Sequence, residues 1–313
     1  MAALPPSVRE RRLAAELRRA RQAAQLNGRQ VAAATGWSTS KVSRIENGRI
    51  GIGPADLDRL LELYAVPPEV AAQLRRLAPD GRAHGWWEAY ADSLSTGYST
   101  LLRLEAGSGA LRTYCALIPH PLLMTPDYVR QVVRATWQRP SPTEVERRVQ
   151  VCRRRQAVLD RGRPDDGGPG PLRLSVVLDE AVLRRSAAAA GPASAGPASA
   201  GPAAAGPGPA EIRRAQLAHL LYAATWPTVE IRVLPFAAGI PPVSAGSFSI
   251  LDSAATGAPD LVYLENKTRI SFVDGEQEVD RYTRDHRLLT ELALTPADSA
   301  DLLADAGRDA VET

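Results

Sequence analysis

Residues 36–49 read "GWSTSKVSRIENGR". The two aliphatic residues, Val42 and Ile45, stand three apart, the spacing of a single helix face. Around them are the hydroxyls of Ser38, Thr39, Ser40 and Ser43, the amide of Asn47, and the cations Lys41, Arg44 and Arg49. Wound as a helix at about 100° per residue, Val42 and Ile45 turn to one side. Ser40, Ser43, Arg44 and Asn47 turn to the other, with Thr39 and Lys41 at the exposed start. A face of hydroxyls, amide and guanidinium matches the donors and acceptors of base edges and phosphates.

The flanking residues predict helices on both sides. Residues 8–25 carry Leu13, Leu17, Ala20 and Ala24 on one stripe. A second helix is predicted over 28–35, with Val31, Ala32 and Ala34 at packing positions. Gly36 follows where a left-handed cap is wanted, and Ser38 can cap the third helix. Gly48 and Gly51 end that helix, and Pro54 suits the first turn of a fourth. Leu57, Leu60, Leu61 and Tyr64 form the inner stripe of the fourth, and Pro67-Pro68 stops it. A fifth is predicted near 69–77. The Gly-containing turn sets the third helix across the second, the helix-turn-helix arrangement that presents its second helix to a DNA major groove.

Charge points the same way. Residues 1–50 hold ten Lys and Arg against three Asp and Glu, a net of +7, in a chain whose total is only +3. A cationic head on a body of net −4 fits a polyanionic partner. The 313 residues are enough for about two domains, and no apolar run reaches the roughly 18 residues of a spanning helix. The N-terminal "MAALPPSVRERR" places its charges after a short apolar stretch, the reverse of a secretory signal. Cys115 and Cys152 fit no metal or redox spacing, so the expectation is two thiols in a reducing cytoplasm.

The segment "LNGRQVAAATGWSTSKVSRIENGR" (26–49) resembles the Cro/phage-repressor-type helix-turn-helix, the lambda-repressor-like or xenobiotic-response-element (XRE) family. The resemblance lies in Val31-Ala32, Gly36, Ser38, Ser40, Val42-Ser43, Ile45-Glu46 and Gly48. It implies sequence-specific binding to double-stranded DNA through Ser38, Thr39, Ser40, Lys41, Ser43, Arg44, Asn47 and Arg49. Where the family often has a phosphate-touching Gln at the start of the second helix, this chain has Gly28. That contact then passes to Arg29, Gln30 or a backbone N–H. The resemblance also makes Glu46 structural, with Arg18 or Arg21 as its partner.

Beyond residue 78 the fold expectation is an α+β domain over 86–305, joined to the all-α head (1–78) by a linker at 79–85 and followed by a tail at 306–313. The predicted strands lie near 111–118 and at Leu172–Leu178, Val229–Leu234, Ser247–Leu251, Leu261–Leu264 and Ile270–Val273. Helical patterns cover 211–224 and 276–292, and parallel pairing of some strands stays open. Residues 191–205 repeat GPASA, GPASA, GPAAA, and the surrounding 187–209 reads as a disordered insertion. "IPHPLLMTPDYVRQVV" (118–133), "LSVVLDEAVLRR" (174–185), "RRAQLAHLLYAATWPTVEIRVLPFAAG" (213–239) and "DLVYLEN" (260–266) resemble the uncharacterised domain that follows this helix-turn-helix in actinobacterial regulators. The pattern departs from that family at Pro121-Leu122-Leu123-Met124-Thr125 and at the repeat.

Catalytic candidates are Glu105, Asp179, Glu180, Asp260 and Glu265, with Tyr128 and Tyr263. Asp179 or Glu180 suits a helix N-terminus better than acid–base work. His84, His120, His219 and His286 are too scattered for a metal site, and no phosphate-binding glycine fingerprint is present. The sequence therefore predicts no enzyme, metal or cofactor. It predicts a cytoplasmic DNA-binding transcriptional regulator whose second domain senses a ligand or binds a partner. The rivals are an antitoxin-like regulator acting through a small protein, and a DNA-tethered enzyme processing a nucleotide or NAD. A homodimer is expected for reading a long operator, with contacts in 85–305 at Trp86, Trp87, Leu122, Leu123 and Met124. The alternative for these five residues is that they belong to the domain's own core.

Overall fold

The computed structural model describes residues 8–48, 50–77, 86–162, 170–185, 207–243, 246–252 and 260–312. Arg49, the linker at 79–85, His84 and the insertion up to residue 206 lie outside them.

Five helices open the chain: α1 (Val8–Ala23), α2 (Gly28–Thr35), α3 (Thr39–Glu46), α4 (Pro54–Leu63) and α5 (Pro68–Leu77). Their ends follow local chemistry. The Asn27 side chain accepts from the Arg29 and Gln30 amides while Gln30 reaches back to the Asn27 N–H, a reciprocal capping box. Gly36 ends α2 at φ +72°, a left-handed conformation that Gly adopts without Cβ strain. Pro54 occupies the first turn of α4, where its missing N–H is no loss. Most of the predicted stripes are the core: Leu13, Leu17, Val31, Val42, Ile45 and the α4 row Leu57, Leu60, Leu61 and Tyr64 are all buried, Ala20 and Ala24 are partly buried, and Ala34 is exposed while Thr35 turns inward instead. α1 stops two residues earlier than its periodicity predicts, because Gln25 turns left-handed at φ +57°.

After a 3-10 segment (Trp86–Ser93) come α6 (Thr96–Gly107), β1 (Ala110–Cys115), α7 (Pro126–Thr136), α8 (Pro142–Gln156), β2 (Arg173–Asp179), α9 (Glu180–Arg184), α10 (Pro209–Ala223) and β3 (Val229–Leu234). The chain continues with β4 (Phe248–Asp252), β5 (Leu261–Glu265), β6 (Ile270–Val273), α11 (Glu276–Leu292) and α12 (Pro296–Glu312). The strands form one mixed sheet in the order β3-β2-β1-β4-β5-β6. β1, β2 and β3 are parallel, with Thr113 opposite Val176 and Val176 opposite Ile231. β5 and β6 are antiparallel. Parallel neighbours need crossovers, and α7–α8 and α9–α10 supply them. The α+β class therefore holds, and the open question of parallel pairing is settled for three strands. β2 shows why: Leu174, Val176, Val177 and Leu178 are buried without alternation, as a strand covered on both faces requires.

Two expectations need correction. Residues 306–312 are not a tail but the last two turns of α12, held in place because Leu303 and Ala306 are fully buried. Gly208 and Pro209, assigned to the insertion, open α10 as its cap and first residue.

The chain divides into two compact units. One comprises residues 1–109, 163–170 and 251–275, and the other 110–162, 171–250 and 276–313, so the division falls within β4. α6, β5 and β6 are thus grouped with the helical head. There, Arg103 on α6 pairs with Glu10 on α1 at 3.6 Å, and Asp274 and Asp260 lie near the buried Arg11 of α1. In the second unit, Leu122, Leu123 and Met124 are core residues. The alternative reading is the correct one for these three, and their apolar surface is not available for a dimer. Trp86 and Trp87 are half-buried.

Two histidines in the second unit carry a pH prediction. Burial, with Arg112 nearby, lowers His286 to about 4. Burial, with Arg155 nearby, lowers His120 well below the ordinary imidazole value. Both are neutral when folded and regain an ordinary value when unfolded. Between the two values the unfolded chain binds more protons, so stability falls as pH drops from about 6.5 towards 4. Urea midpoints measured across that window should decline, and His286→Gln should flatten the decline.

Candidate nucleic-acid interface

α3 presents its polar face as its sequence requires. Val42 and Ile45 are buried at 2 % exposure each, which fixes the rotation of the helix. Thr39, Ser40, Ser43, Arg44 and Asn47 are exposed on the other side. Their mutual bonds set their posture. Asn47 Nδ2 donates to the Ser43 carbonyl (2.8 Å) and to Ser43 Oγ (3.2 Å). Arg44 Nε donates to the Ser40 carbonyl at 3.3 Å, which leaves the terminal guanidinium nitrogens facing outward. A guanidinium with both outer nitrogens available can make the bidentate contact that guanine offers in the major groove. Ser38 Oγ accepts from the Lys41 N–H at 3.1 Å, so Ser38 acts first as the cap of α3.

Lys41 is held differently from its neighbours. Its Nζ lies 2.8 Å from Asp56 Oδ2 on the first turn of α4 and 3.9 Å from the centroid of the Trp37 ring. The ammonium is thus tied between α3 and α4. Arg29 and Gln30 are exposed at the start of α2. Gln30 Oε1 is committed to the Asn27 N–H, leaving its Nε2 as a donor. Of the predicted residues, Thr39, Ser40, Ser43, Arg44 and Asn47 come together on one helix face, while Arg29 and Gln30 stand at the neighbouring helix start.

The buried side of α3 holds the second half of the site. Glu46 is 8 % exposed. Arg21 Nε on α1 donates to both of its carboxylate oxygens, at 2.8 and 3.0 Å. The Tyr64 hydroxyl donates to Glu46 Oε1 at 3.2 Å, and Arg21 Nη1 donates to the Leu26 carbonyl at 2.7 Å. Of the two arginines expected for Glu46, Arg21 is the partner. The Glu46 hydrogen bond raises Arg21 above its ordinary value, while burial leads the upward shift of Tyr64. Sequence reasoning missed Asp56, Trp37 and the Tyr64 hydroxyl. Only Asn27-x-x-Gln30 carried a readable signal, since it has the spacing of a capping box.

The catalytic candidates are engaged locally. Asp179 caps α9 through the Ala181 N–H (2.9 Å) and accepts from the Tyr114 hydroxyl (3.0 Å). Glu180 accepts from the Phe236 N–H and pairs with Arg184. Tyr128 and Tyr263 are buried, and Glu105 is fully buried. Glu105, Asp260, Tyr263 and Glu265 belong to the other unit from Asp179, Glu180 and Tyr128. Among the described residues no group of His, Cys, Asp and Glu has the arrangement of a metal site. Cys115 and Cys152 are free and buried, and burial pushes the Cys115 thiol up to about 12. No helix among the described residues is long and apolar enough to cross a membrane.

Residues 12–74 match a helix-turn-helix domain. Residues 98–194 and 204–305, well over half of the chain, match the family described as a domain of unknown function, DUF5753. The gap in that match falls in the Gly-Pro-Ala repeat. No curated protein and no solved structure matches the chain. An N-terminal helix-turn-helix marks a DNA-binding regulator.

The brace beneath α3 can be tested by stability. Glu46→Ala leaves the Arg21 guanidinium without its carboxylate in a largely buried site and should cost about 3–5 kcal/mol. Tyr64→Phe removes one neutral donor and should cost about 1 kcal/mol. Urea titrations of both variants check the ranking.

Proposed function

Because the chain belongs to the DUF5753 family and carries a helix-turn-helix domain at its N-terminus, we propose that it is a sequence-specific transcriptional regulator. In this reading the head is of the Cro/XRE type and the protein works in the cytoplasm, in the manner of actinobacterial regulators. The observation that carries the reading is the α3 face. Five exposed polar side chains are aligned over a buried carboxylate brace, on a helix whose rotation is fixed by Val42 and Ile45. Arg44 reads bases, with Thr39, Ser40, Ser43 and Asn47 beside it in the groove. Arg29 and Gln30 hold phosphates at the start of α2 through their side chains, since their N–H groups are already taken by Asn27. Lys41 serves as a tie between α3 and α4 that also places positive charge near the backbone.

The second domain is proposed to bind a partner rather than to catalyse. Of its candidate carboxylates, Asp179 caps a helix and Glu180 forms local contacts. Large apolar side chains are exposed just after two parallel strands: Leu117 and Ile118 after β1, and Phe236 and Ile240 after β3, with Ile240 at 94 %. Exposed apolar side chains of this size favour a protein partner, either a second copy or a small protein.

Arg44→Ala should weaken binding to the cognate operator by about 1–3 kcal/mol and relax discrimination at one position. The check is titration of operator and scrambled duplexes at one fixed salt concentration. An equal loss on both would make Arg44 a phosphate contact.

A further inference from the structure

The second unit carries a cationic surface that the helix-turn-helix reading does not use. α7, α8 and the turn between them (126–156) hold eight arginines, three carboxylates and no lysine, a net of +5. Outside this hairpin and residues 1–50 the chain nets −9, so positive charge is concentrated in two places.

The hairpin is a rigid platform. Tyr128, Val129, Val133, Val145, Val149 and Cys152 form its buried seam. Each of its three carboxylates is engaged within the hairpin. Asp127 and Glu146 both bind Arg130, the latter through two nitrogens at 2.5 and 2.9 Å. Glu144 closes the capping box of α8 by accepting from the Ser141 N–H and hydroxyl. Arg134, at the end of α7, Arg139, in the turn, and Arg147, on α8, are exposed. Glu146 is lowered chiefly by its Arg130 hydrogen bond and Glu144 by those from Ser141, with smaller pulls from Arg134 and Arg147 respectively. Among the described residues none of the three arginines forms an ion pair. Trp137 stands at the same end, 42 % exposed, with the Arg148 guanidinium 4.5 Å from its ring centroid. Stacking of this kind holds an arginine in place without removing its charge.

Exposed arginines on a packed hairpin whose carboxylates are engaged elsewhere suit the phosphates of a polyanion. We propose that the α7–α8 hairpin is a second nucleic-acid contact that grips the phosphate backbone of duplex DNA without reading sequence, through Arg134, Arg139, Arg147 and the Arg148–Trp137 pair. The choice of DNA over other polyanions rests on the proposed role of the head. Arginines that only touch phosphate add affinity and salt dependence and leave sequence preference unchanged.

The test uses the full chain with Arg134, Arg139 and Arg147 all changed to Gln, and a companion with all three changed to Lys. Both bind a mixed-sequence duplex over a salt series, followed by anisotropy. Removing one arginine–phosphate pairing lowers the slope of log K against log[salt] by about 0.9, so the Gln protein should lose about 2–3 in slope. The Lys protein should keep the native slope. An unchanged slope in the Gln protein would overturn the proposal, as would a Lys protein that behaves like it. Loss of binding to anionic vesicles or to an acidic polypeptide, with the DNA slope intact, would assign the surface to that partner and overturn the proposal equally. Arg44→Ala, run in parallel on operator DNA, reports separately on the head. A hairpin effect without any Arg44 effect would sink only the reading of α3.

Discussion

A buried carboxylate organises the head. Glu46 stands at the last turn of α3, inside the apolar core, where an unpaired charge would be prohibitive. The Arg21 guanidinium neutralises it, its Nε–H shared between both carboxylate oxygens, and the Tyr64 hydroxyl takes part of its remaining acceptor capacity. Arg21 belongs to α1 and Tyr64 caps α4, so one carboxylate ties three helices at a single point. Val42 and Ile45 set which side of α3 faces the core, but dispersion contacts are non-directional and restrain fine adjustments less than a hydrogen bond does. A guanidinium N–H shared between the two oxygens of one carboxylate is directional. The brace therefore specifies the pitch and rotation of α3 more than it adds stability, and the exposed row from Thr39 to Asn47 inherits that precision.

The same logic explains Lys41. A lysine facing outward would be a mobile point charge with several rotamers. Here Asp56 and the Trp37 ring hold it from two directions. Both α3 and α4 gain a tie at their N-terminal ends, matching the Glu46 brace at the C-terminal end of α3. α3 is thus fixed at both ends by electrostatic contacts and along its middle by Val42 and Ile45. Of its polar side chains, those left without an inter-helix partner are the ones on the exposed face.

Local chemistry made the head legible in the sequence. Gly36, Ser38, Pro54 and Pro67-Pro68 mark helix ends by conformational rules that act within a few residues, and the apolar stripes recur at helical spacing. The boundaries of α2 and α3 and the start of α4 follow directly, whereas α4 ends at Leu63, ahead of Pro67, because Ala65 turns left-handed at φ +50°. What the sequence concealed is what depends on distance. Neither Asp56 for Lys41 nor Tyr64 for Glu46 can be read from spacing, since 15 and 18 residues separate them. The strands were recognisable from their β-branched runs, but their order was not, because β4 lies beside β1 rather than after β3. Leu122, Leu123 and Met124 looked available as apolar surface only because a short apolar run does not reveal what covers it. In the fold, the Gln156 and Gln216 amides hold the carbonyls of Pro121, Leu123 and Met124 and draw that turn into the core. α12 was missed for a related reason: its fully buried Leu303 and Ala306 are too few to form a visible stripe among acidic neighbours.

Charge distribution joins these observations into one physical picture. Stability alone would favour interspersed signs, since clustered like charges repel at distances within the screening length of about 8–10 Å. The chain instead separates them, with residues 1–50 at net +7, a helical hairpin of net +5 and a remainder of net −9. Within each cationic segment the carboxylates are drawn into specific internal tasks: Glu46 into the brace, Asp127 and Glu146 onto Arg130, and Glu144 into a helix cap. Acidic side chains there neutralise chosen arginines and leave others exposed. The pattern costs self-repulsion in the free protein, and contact with a polyanion offsets that cost by letting the remaining arginines displace condensed counterions.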